Sequence, residues 1–162
     1  MSTANAANAM STAITVNAVS TASTVNAENK ERCLRMVAAW NRWDVAGVVE
    51  HWAPDVVHYT EEGGQHDTRE LIERMESAVR AFPDLHLDVK SILAEGDRVM
   101  LRITVTATHL GEFMGLAPTG RRVAWHYLEE LRFSPEGEVV EHWDVFNFAP
   151  LFRAIGQVPA GM

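Results

Sequence analysis

The sequence contains very little cysteine and no cluster of positive charge, and each absence excludes a class of function. Cys33 is the only cysteine, so no disulfide can form within the chain, and we expect a reducing compartment, by default the cytoplasm. Asp and Glu outnumber Lys and Arg by 22 to 14, the formal net charge is -8, and no basic cluster is longer than Arg121-Arg122. We therefore expect neither a nucleic-acid partner nor binding to an anionic membrane.

Long apolar runs are also absent, as are charges in the first part of the chain. No segment approaches the roughly 18 apolar residues that a membrane span requires. Met1 to Ala27 repeats Ser, Thr, Ala, Asn and Val, without the basic start and continuous apolar stretch of a secretory signal. Such a segment can bury little, so we predict a flexible low-complexity tail over 1–27 and one domain over 28–162.

The domain places helices before strands, which is the order typical of an α+β fold. Helical periodicity predicts a helix over 28–43, followed by a short helix that Asp44 caps and Pro54 ends. A strand is predicted over 56–60. The spacing of Asp67 and Glu70 resembles a capping box, which predicts a third helix that ends at Pro83.

Four long strand-like segments make up most of the rest of the chain. They are predicted at Leu85–Ala94, Arg98–His109, Arg121–Ser134 and Glu138–Phe148. Glycine-containing turn sequences at 95–97 and 134–137 indicate that adjacent segments pair antiparallel, as a meander. Strands of this length twist, and with helices on one side such a sheet can bend into a cone with an open mouth. We therefore expect a pocket inside the sheet.

The segment between the second and third of these strands resembles a known family. Residues 109–122, HLGEFMGLAPTGRR, are similar to the strand connection of the SnoaL-like polyketide cyclases, and similarity extends from Glu28 to Phe152 through WNRWD at 40–44 and EHWD at 141–144. The resemblance implies the cone fold of nuclear transport factor 2-like proteins, a curved antiparallel sheet with N-terminal helices enclosing a pocket. It also implies an aromatic polyketide as the small-molecule partner. That superfamily has many functions, so the site residues must decide the chemistry.

The last strand carries the first candidate catalytic residue. Its alternation places His142, Asp144 and Phe146 on one face. The resemblance assigns to Asp144 the acid/base role of the aspartate that the family's cyclases carry there. Independently, a carboxylate in an apolar wall has its pKa raised by desolvation, which suits proton transfer near neutrality. The alternative is a structural aspartate paired with Arg102, Arg132 or another cation.

The preceding strand carries the second candidate, Glu129, on one face with Trp125 and Tyr127. The resemblance places a histidine of the cyclases at the position of Glu129. This departure points toward the hydroxylase-like branch of the family, in anthracycline-type pathways. The predicted substrate-binding residues are Trp40, His58, Phe113, Trp125, Tyr127, His142 and Phe146.

No motif for a cofactor is visible. The seven histidines include no His-Glu-x-x-His or comparable ligand spacing, so no metal site is predicted. There is no phosphate-binding loop followed by a helix and no Gly-x-Ser-x-Gly, so neither a nucleotide cofactor nor a serine nucleophile is expected. We expect a protein that works without a cofactor.

These observations favour a tailoring enzyme of aromatic polyketide biosynthesis. A base would remove a proton between carbonyl groups, and the resulting anion would react with molecular oxygen in a hydroxylase or with an internal carbonyl in an aldol cyclase. The hydroxylase interpretation is preferred, and a non-catalytic small-molecule binding protein is the contrasting alternative. Trp143, Val145 and Val139 are expected on exposed strand faces, which predicts a symmetric homo-oligomer, a dimer or tetramer.

Overall fold

The computed structural model describes residues 23–60 and 63–156 of the chain. The helices and strands are α1 (23–40), α2 (Val45–Val49), β1 (Trp52–Tyr59), β2 (Gln65–His66), α3 (Thr68–Ala81), β3 (His86–Glu95), β4 (Arg98–Thr108), β5 (Arg122–Phe133), β6 (Val139–Asn147) and α4 (Ala149–Ile155). Most of the predicted tail, residues 1–22, lies outside the described residues, whereas residues 23–27 are helical. None of the helices in the described ranges is long and apolar enough to cross a membrane.

The short helix α2 begins as predicted and ends earlier. The Asp44 carboxylate accepts a hydrogen bond from the backbone N–H of Gly47 at 2.9 Å, which caps the helix. The prediction that Pro54 ends this helix is wrong, since Pro54 lies inside β1. A strand tolerates proline where the missing N–H is not needed. Here the pairing of β1 with β6 is irregular between Trp52 and Val57, and Pro54 falls in that interval.

The third helix is confirmed with its cap. The Asp67 carboxylate accepts from the backbone N–H of Glu70 at 2.8 Å, and the Glu70 carboxylate accepts from the N–H of Asp67 at 3.0 Å. This reciprocal pair is the capping box. Leu71 and Met75 form the buried face of the helix, which packs against β1.

The six strands form one open sheet in the order β2-β1-β6-β5-β4-β3. The predicted meander is confirmed, because β3, β4, β5 and β6 pair antiparallel in chain order. The sheet is curved and does not close, as the cone fold requires. Two pairings were not predicted. The short strand β2 lies antiparallel to β1. In addition, β1 lies parallel to β6, so the sheet is mixed, and His58 stands opposite His142.

The inner face of the sheet forms one wall of the core. Leu101, Ile103 and Val105 of β4 are buried, while the residues between them point outward. Cys33 and Met36 belong to the buried face of α1 and join the same core. Helices on one side of a curved sheet therefore leave a cavity between the two layers.

The prediction that Val139 belongs to the exposed strand face is wrong, since Val139 is fully buried. The register between β5 and β6 shifts between Arg132 and Phe133, where Glu141 pairs with Arg132 and Val139 pairs with Phe133. One extra residue in β6 forms a bulge, which reverses the inward and outward alternation of side chains on its N-terminal side. Val139 therefore points into the core. Trp143 lies on the C-terminal side of the bulge and remains on the outer face.

Candidate active site

A cavity of about 560 Å³ lies between the sheet and the helices. This volume is within the range of small-molecule sites, roughly 300 to 1,000 Å³. Aromatic side chains make up much of its wall: Trp40, Trp52, Phe82, Phe113, Trp125, Tyr127, Phe146 and Phe148. Tyr127 stacks on Phe146 with ring centroids 4.8 Å apart, and Phe146 stacks on Phe148 at 5.1 Å. The wall offers flat apolar surface to a flat apolar ligand.

The structure brings the predicted site residues together, with one exception. The candidates that line the cavity are Trp40, Phe113, Trp125, Tyr127, Glu129, His142, Asp144 and Phe146. His58 is not among the residues that line it, so contact of His58 with substrate stays a prediction that the cavity does not support. Only 1% of the His58 side chain is exposed, and it packs behind the wall with its ring stacked 4.7 Å from that of His142.

Four titratable side chains form a connected cluster at one end of the cavity. Nδ1 of His58 lies 2.7 Å from Nδ1 of His142. Nε2 of His142 is 3.4 Å from the Glu129 carboxylate, and Nε2 of His58 is 3.5 Å from the Asp144 carboxylate. The two histidines therefore connect the two carboxylates.

Strand register explains this cluster. Glu129 and Asp144 are cross-strand partners in the antiparallel pair of β5 and β6, so both point inward. His142 precedes Asp144 by two residues and shares its face. The parallel pairing of β1 with β6 then adds His58 from the other side. Sequence reasoning identified all four residues individually but missed the cluster, because no local signal in the sequence reveals that β1 pairs with β6.

Burial sets the electrostatics of the cluster. Desolvation, followed by the nearby His142, Arg74 and His66, lowers the pKa of His58 from its ordinary 6.5 to about 3, so its imidazole is neutral at physiological pH. Desolvation also raises the pKa of the Tyr127 phenol well above its usual value, and the charges of Glu129 and Asp144 add to that effect. Tyr127 therefore keeps its proton and remains a hydrogen-bond donor.

The ion pairs of Arg132 and the outward position of Arg102 bear on the alternative role of Asp144. Arg132 pairs with Glu141 at 2.8 Å on the other side of the sheet. Arg102 is exposed and stands opposite Leu128, also on the outer face. The Asp144 side chain is buried on the inner face with His58 and the aromatic wall. An ion pair with Arg102 or Arg132 therefore does not determine the position of Asp144.

Ligand-type atoms of His58, His142 and Asp144 lie within 4.8 Å of one another, a grouping that could hold a metal ion. In tetrahedral zinc sites two imidazole nitrogens bound at about 2.0 to 2.1 Å are separated by about 3.3 Å. The 2.7 Å contact between the two Nδ1 atoms is shorter and has the length of a hydrogen bond. This geometry fits a hydrogen-bonded cluster better than a metal centre.

The connection between β4 and β5 covers part of the cavity with Phe113. A Cβ atom at Gly111 would overlap the backbone carbonyl of Arg80, so the close approach of this connection to α3 requires glycine there. The ring of Phe113 meets that of Phe82 edge to face at 5.0 Å. The family-like segment recognised in the sequence thus positions an aromatic side chain over the site.

Sequence reasoning missed four polar residues that line the cavity: Thr60, His66, Arg74 and Ser77. Arg74 is exposed and stands on the polar side of α3, where helical periodicity indicates only a solvated face. Its position at the cavity follows from the packing of α3 over the sheet.

Comparison with known proteins agrees with this geometry. Residues 30–155 match the family model described as SnoaL-like polyketide cyclase. The structure of AclR, a candidate hydroxylase from Streptomyces galilaeus, is 59% identical, covers 83% of this chain and 99% of its own, and superposes with a TM-score of 0.78. IdmH, a candidate polyketide cyclase from Streptomyces antibioticus, is 28% identical over 79% of this chain and 98% of its own, with a TM-score of 0.71.

A more distant structure, a SnoaL-like candidate polyketide cyclase from Jannaschia Sp. CCS1, supports the fold alone. It is 20% identical, covers 83% of this chain and 96% of its own, and has a TM-score of 0.74. A comparison with curated proteins found no match. The family model spans most of the chain, including every strand and the whole cluster, so the chain belongs to the SnoaL-like polyketide cyclase family.

Proposed function

We propose that this chain hydroxylates an anthracycline-type polycyclic polyketide without a cofactor, with Asp144 as the base. The observation that carries the proposal is the 59% identity with AclR over nearly all of that chain. The buried carboxylate in an aromatic cavity of suitable volume supports it.

The first step is removal of an acidic C–H proton that lies between carbonyl groups of the substrate. Asp144 accepts this proton, and its position in an apolar wall favours transfer because water does not compete for the carboxylate. Trp125, Tyr127 and Phe146 hold the polycycle by stacking. The phenol of Tyr127 stays protonated and donates a hydrogen bond to the oxygen on which negative charge develops.

The second step joins the substrate anion to molecular oxygen. The anion supplies the electrons, a C–O bond forms, and protonation gives a hydroperoxide. Conversion of the hydroperoxide to the alcohol consumes two electrons and two protons and releases water. This reaction therefore requires an external two-electron donor, and a thiol is the reductant used in the test below. The chain's own contribution is to bind the substrate flat, accept its proton at Asp144 and keep water away from the anion.

Aldol cyclisation is the second candidate function, favoured by the family description and by the similarity to IdmH. It begins with the same proton transfer to Asp144. The anion then attacks a carbonyl of the same molecule, and protonated Asp144 returns the proton to the resulting alkoxide. No oxidant is consumed, so the two reactions differ in their requirement for oxygen.

Incubation with an anthracycline-type polyketide and a thiol, under ¹⁸O₂ and under argon, tests the proposal by mass spectrometry. The expected result is a product that gains one ¹⁸O atom with wild-type protein and none without oxygen. Ring closure under argon would instead establish the cyclase. Saturable ligand binding with no product under either gas would identify a binding protein and overturn both.

We also propose that the chain forms a homo-oligomer through the outer face of the sheet. Leu128, Trp143 and Val145 are large apolar residues with 43% to 54% of their surface exposed, and they are neighbours on β5 and β6. Such a patch is costly to leave in water. Light scattering is expected to give the mass of a dimer or tetramer at micromolar concentration, and Val145→Lys is expected to reduce it. A monomeric wild-type mass would contradict the proposal.

A further inference from the structure

The contact between the two histidines restricts where their protons can be. Two ring nitrogens 2.7 Å apart require one hydrogen between them, since two bare nitrogens or two N–H groups would repel each other. When both rings are neutral, only one further N–H remains for the pair. It lies either on Nε2 of His142, toward Glu129, or on Nε2 of His58, toward Asp144.

The geometry favours the first arrangement in the ligand-free protein. Nε2 of His142 and the Glu129 carboxylate satisfy hydrogen-bond geometry at 3.4 Å. Nε2 of His58 is buried without a hydrogen-bond partner, although the Asp144 carboxylate is 3.5 Å away. His58 then carries its proton on Nδ1 and presents a bare Nε2 to Asp144.

We propose that His58 is a proton relay that moves the proton taken up by Asp144 to His142, where Glu129 compensates the charge. This inference rests on the proposed function in so far as Asp144 receives the substrate proton. His58 does not touch the cavity and acts through its neighbours, so it is a positioning residue.

The proton transfer balances over two successive contacts, the 3.5 Å contact from Asp144 to His58 and the 2.7 Å contact from His58 to His142. Protonated Asp144 gives its proton to Nε2 of His58, and the N–H at Nδ1 of His58 passes its proton to Nδ1 of His142. Asp144 is again a carboxylate, His58 is again neutral with its proton moved from Nδ1 to Nε2, and His142 has become an imidazolium beside the Glu129 carboxylate. The substrate proton is then held away from the anion that must react.

The surroundings of the two rings suit these different roles. His58 faces His66 of β2 and Arg74 of α3, and both disfavour a positive charge on it. His142 faces the Glu129 carboxylate, and Tyr127 near the same carboxylates remains neutral. His58 can therefore pass a proton on while it stays neutral, and His142 can hold that proton because the Glu129 carboxylate compensates its charge.

NMR of the ligand-free protein labelled with ¹⁵N-histidine tests the relay without turnover. At pH 8 the multiple-bond ¹H–¹⁵N spectrum is expected to show His58 as the Nδ1–H tautomer and His142 as the Nε2–H tautomer. As the pH is lowered, His142 is expected to become the imidazolium while His58 changes to the Nε2–H tautomer and stays neutral. Protonation of His58 before His142, or a tautomer of His58 that does not change, would overturn the proposal.

A matched pair of variants examines the role of Glu129. Glu129→Gln removes the charge that compensates an imidazolium at His142, so the coupled tautomer change is expected only at a lower pH than in wild type. Glu130→Gln changes the neighbouring residue on the outer face and is expected to leave the pH of the tautomer change as in wild type. Equal behaviour of the two variants would refute the assignment of Glu129, and if Glu129→Gln does not fold, the wild-type titration decides alone.

The ligand-free titration also separates this inference from the proposed function. A coupled tautomer change with no hydroxylase activity would leave the relay standing and overturn the function. Oxygen-dependent turnover in a protein whose His58 tautomer does not change when His142 is protonated would support the function and overturn the relay.

Discussion

Glu129 and Glu130 are adjacent in the chain, yet they belong to different electrostatic environments. Glu129 points into the cavity, where its partner is His142. Glu130 points outward and forms an ion pair with Arg98. The single-residue offset of a strand thus places one carboxylate in the candidate site and the other in a surface network.

The same contrast repeats on β6. Glu141 lies on the outer side, where a hydrogen bond from Arg132 lowers the pKa of its carboxyl. Asp144 lies on the inner face with His58, close to the aromatic wall. The guanidinium groups stabilise charge on the outer carboxylates, whereas the inner ones face imidazoles that can exchange protons. The outer face therefore carries the ion pairs, and the inner face carries the carboxylates and histidines to which we assign proton transfer.

Replacement of Asp144 is expected to have the largest effect on turnover of any change on either face of the sheet. Asp144→Asn keeps the shape of the side chain and cannot accept a proton, so turnover is expected to fall by about 10² to 10⁴-fold with little change in ligand affinity. Turnover assays and ligand titrations measure the two separately. The outer-face control Glu141→Gln should keep wild-type turnover, and an equal loss in both variants would contradict the assignment.

The buried histidines predict how stability depends on pH. Because burial lowers the folded pKa of His58 to about 3, the neutral ring stabilises the fold above the unfolded value of 6.5, and that stability is lost as pH falls from 6.5 toward 3. The loss amounts to about 1.4 kcal/mol for each pH unit. His109, whose pKa burial also lowers, adds in the same direction.

Urea unfolding at pH 7.5, 6.5 and 5.5 measures this dependence above the range in which the outer carboxylates titrate. His58→Asn is expected to reduce the slope of the free energy of unfolding against pH, with His109 accounting for what remains. An unchanged slope would show that His58 is not the group responsible.

A smaller effect is expected at Glu129. Glu129→Gln should reduce turnover about 10-fold, because Asp144 still accepts the proton but the acceptor beyond it has lost its compensating charge. Glu130→Gln should stay within about 2-fold of wild type. If the outer variant is the more impaired of the two, the division between the two faces is wrong.

The smallest effect is expected in the outer ion pairs. Partly exposed pairs on the surface of a sheet contribute little to stability, so Glu141→Gln should lower Tm by less than about 4 °C. Differential scanning calorimetry measures the change. A larger loss would mean that the outer network stabilises the sheet as strongly as the core does.

Much of the fold follows from local signals in the sequence. The capping box of Asp67 and Glu70, and the glycine turns between β3 and β4 and between β5 and β6, correspond to features of single segments. Alternation along β5 and β6 was enough to place Glu129 and Asp144 on the inner face. Local chemistry and the period of a strand determine these features, so one sequence reveals them.

The features that could not be predicted depend on distant pairings. The position of His58 follows from the parallel pairing of β1 with β6, which joins residues more than 80 positions apart. Burial of Val139 follows from a bulge that the alternation of apolar and polar residues does not reveal. Pro54 was predicted to end a helix because proline interrupts helices, whereas the structure places it in β1, where the pairing with β6 is irregular. Each error lies where tertiary contacts override a local preference.

The most direct test of the account is proton exchange at the substrate. Hydroxylation and cyclisation both begin with removal of a C–H proton, so an anthracycline-type polyketide incubated under argon in D₂O should exchange that hydrogen for deuterium in the presence of the enzyme. Wild type and Glu130→Gln are expected to catalyse the exchange, and folded Asp144→Asn is expected to slow it at least 10²-fold. Exchange at the wild-type rate by folded Asp144→Asn would contradict the claim that Asp144 is the base.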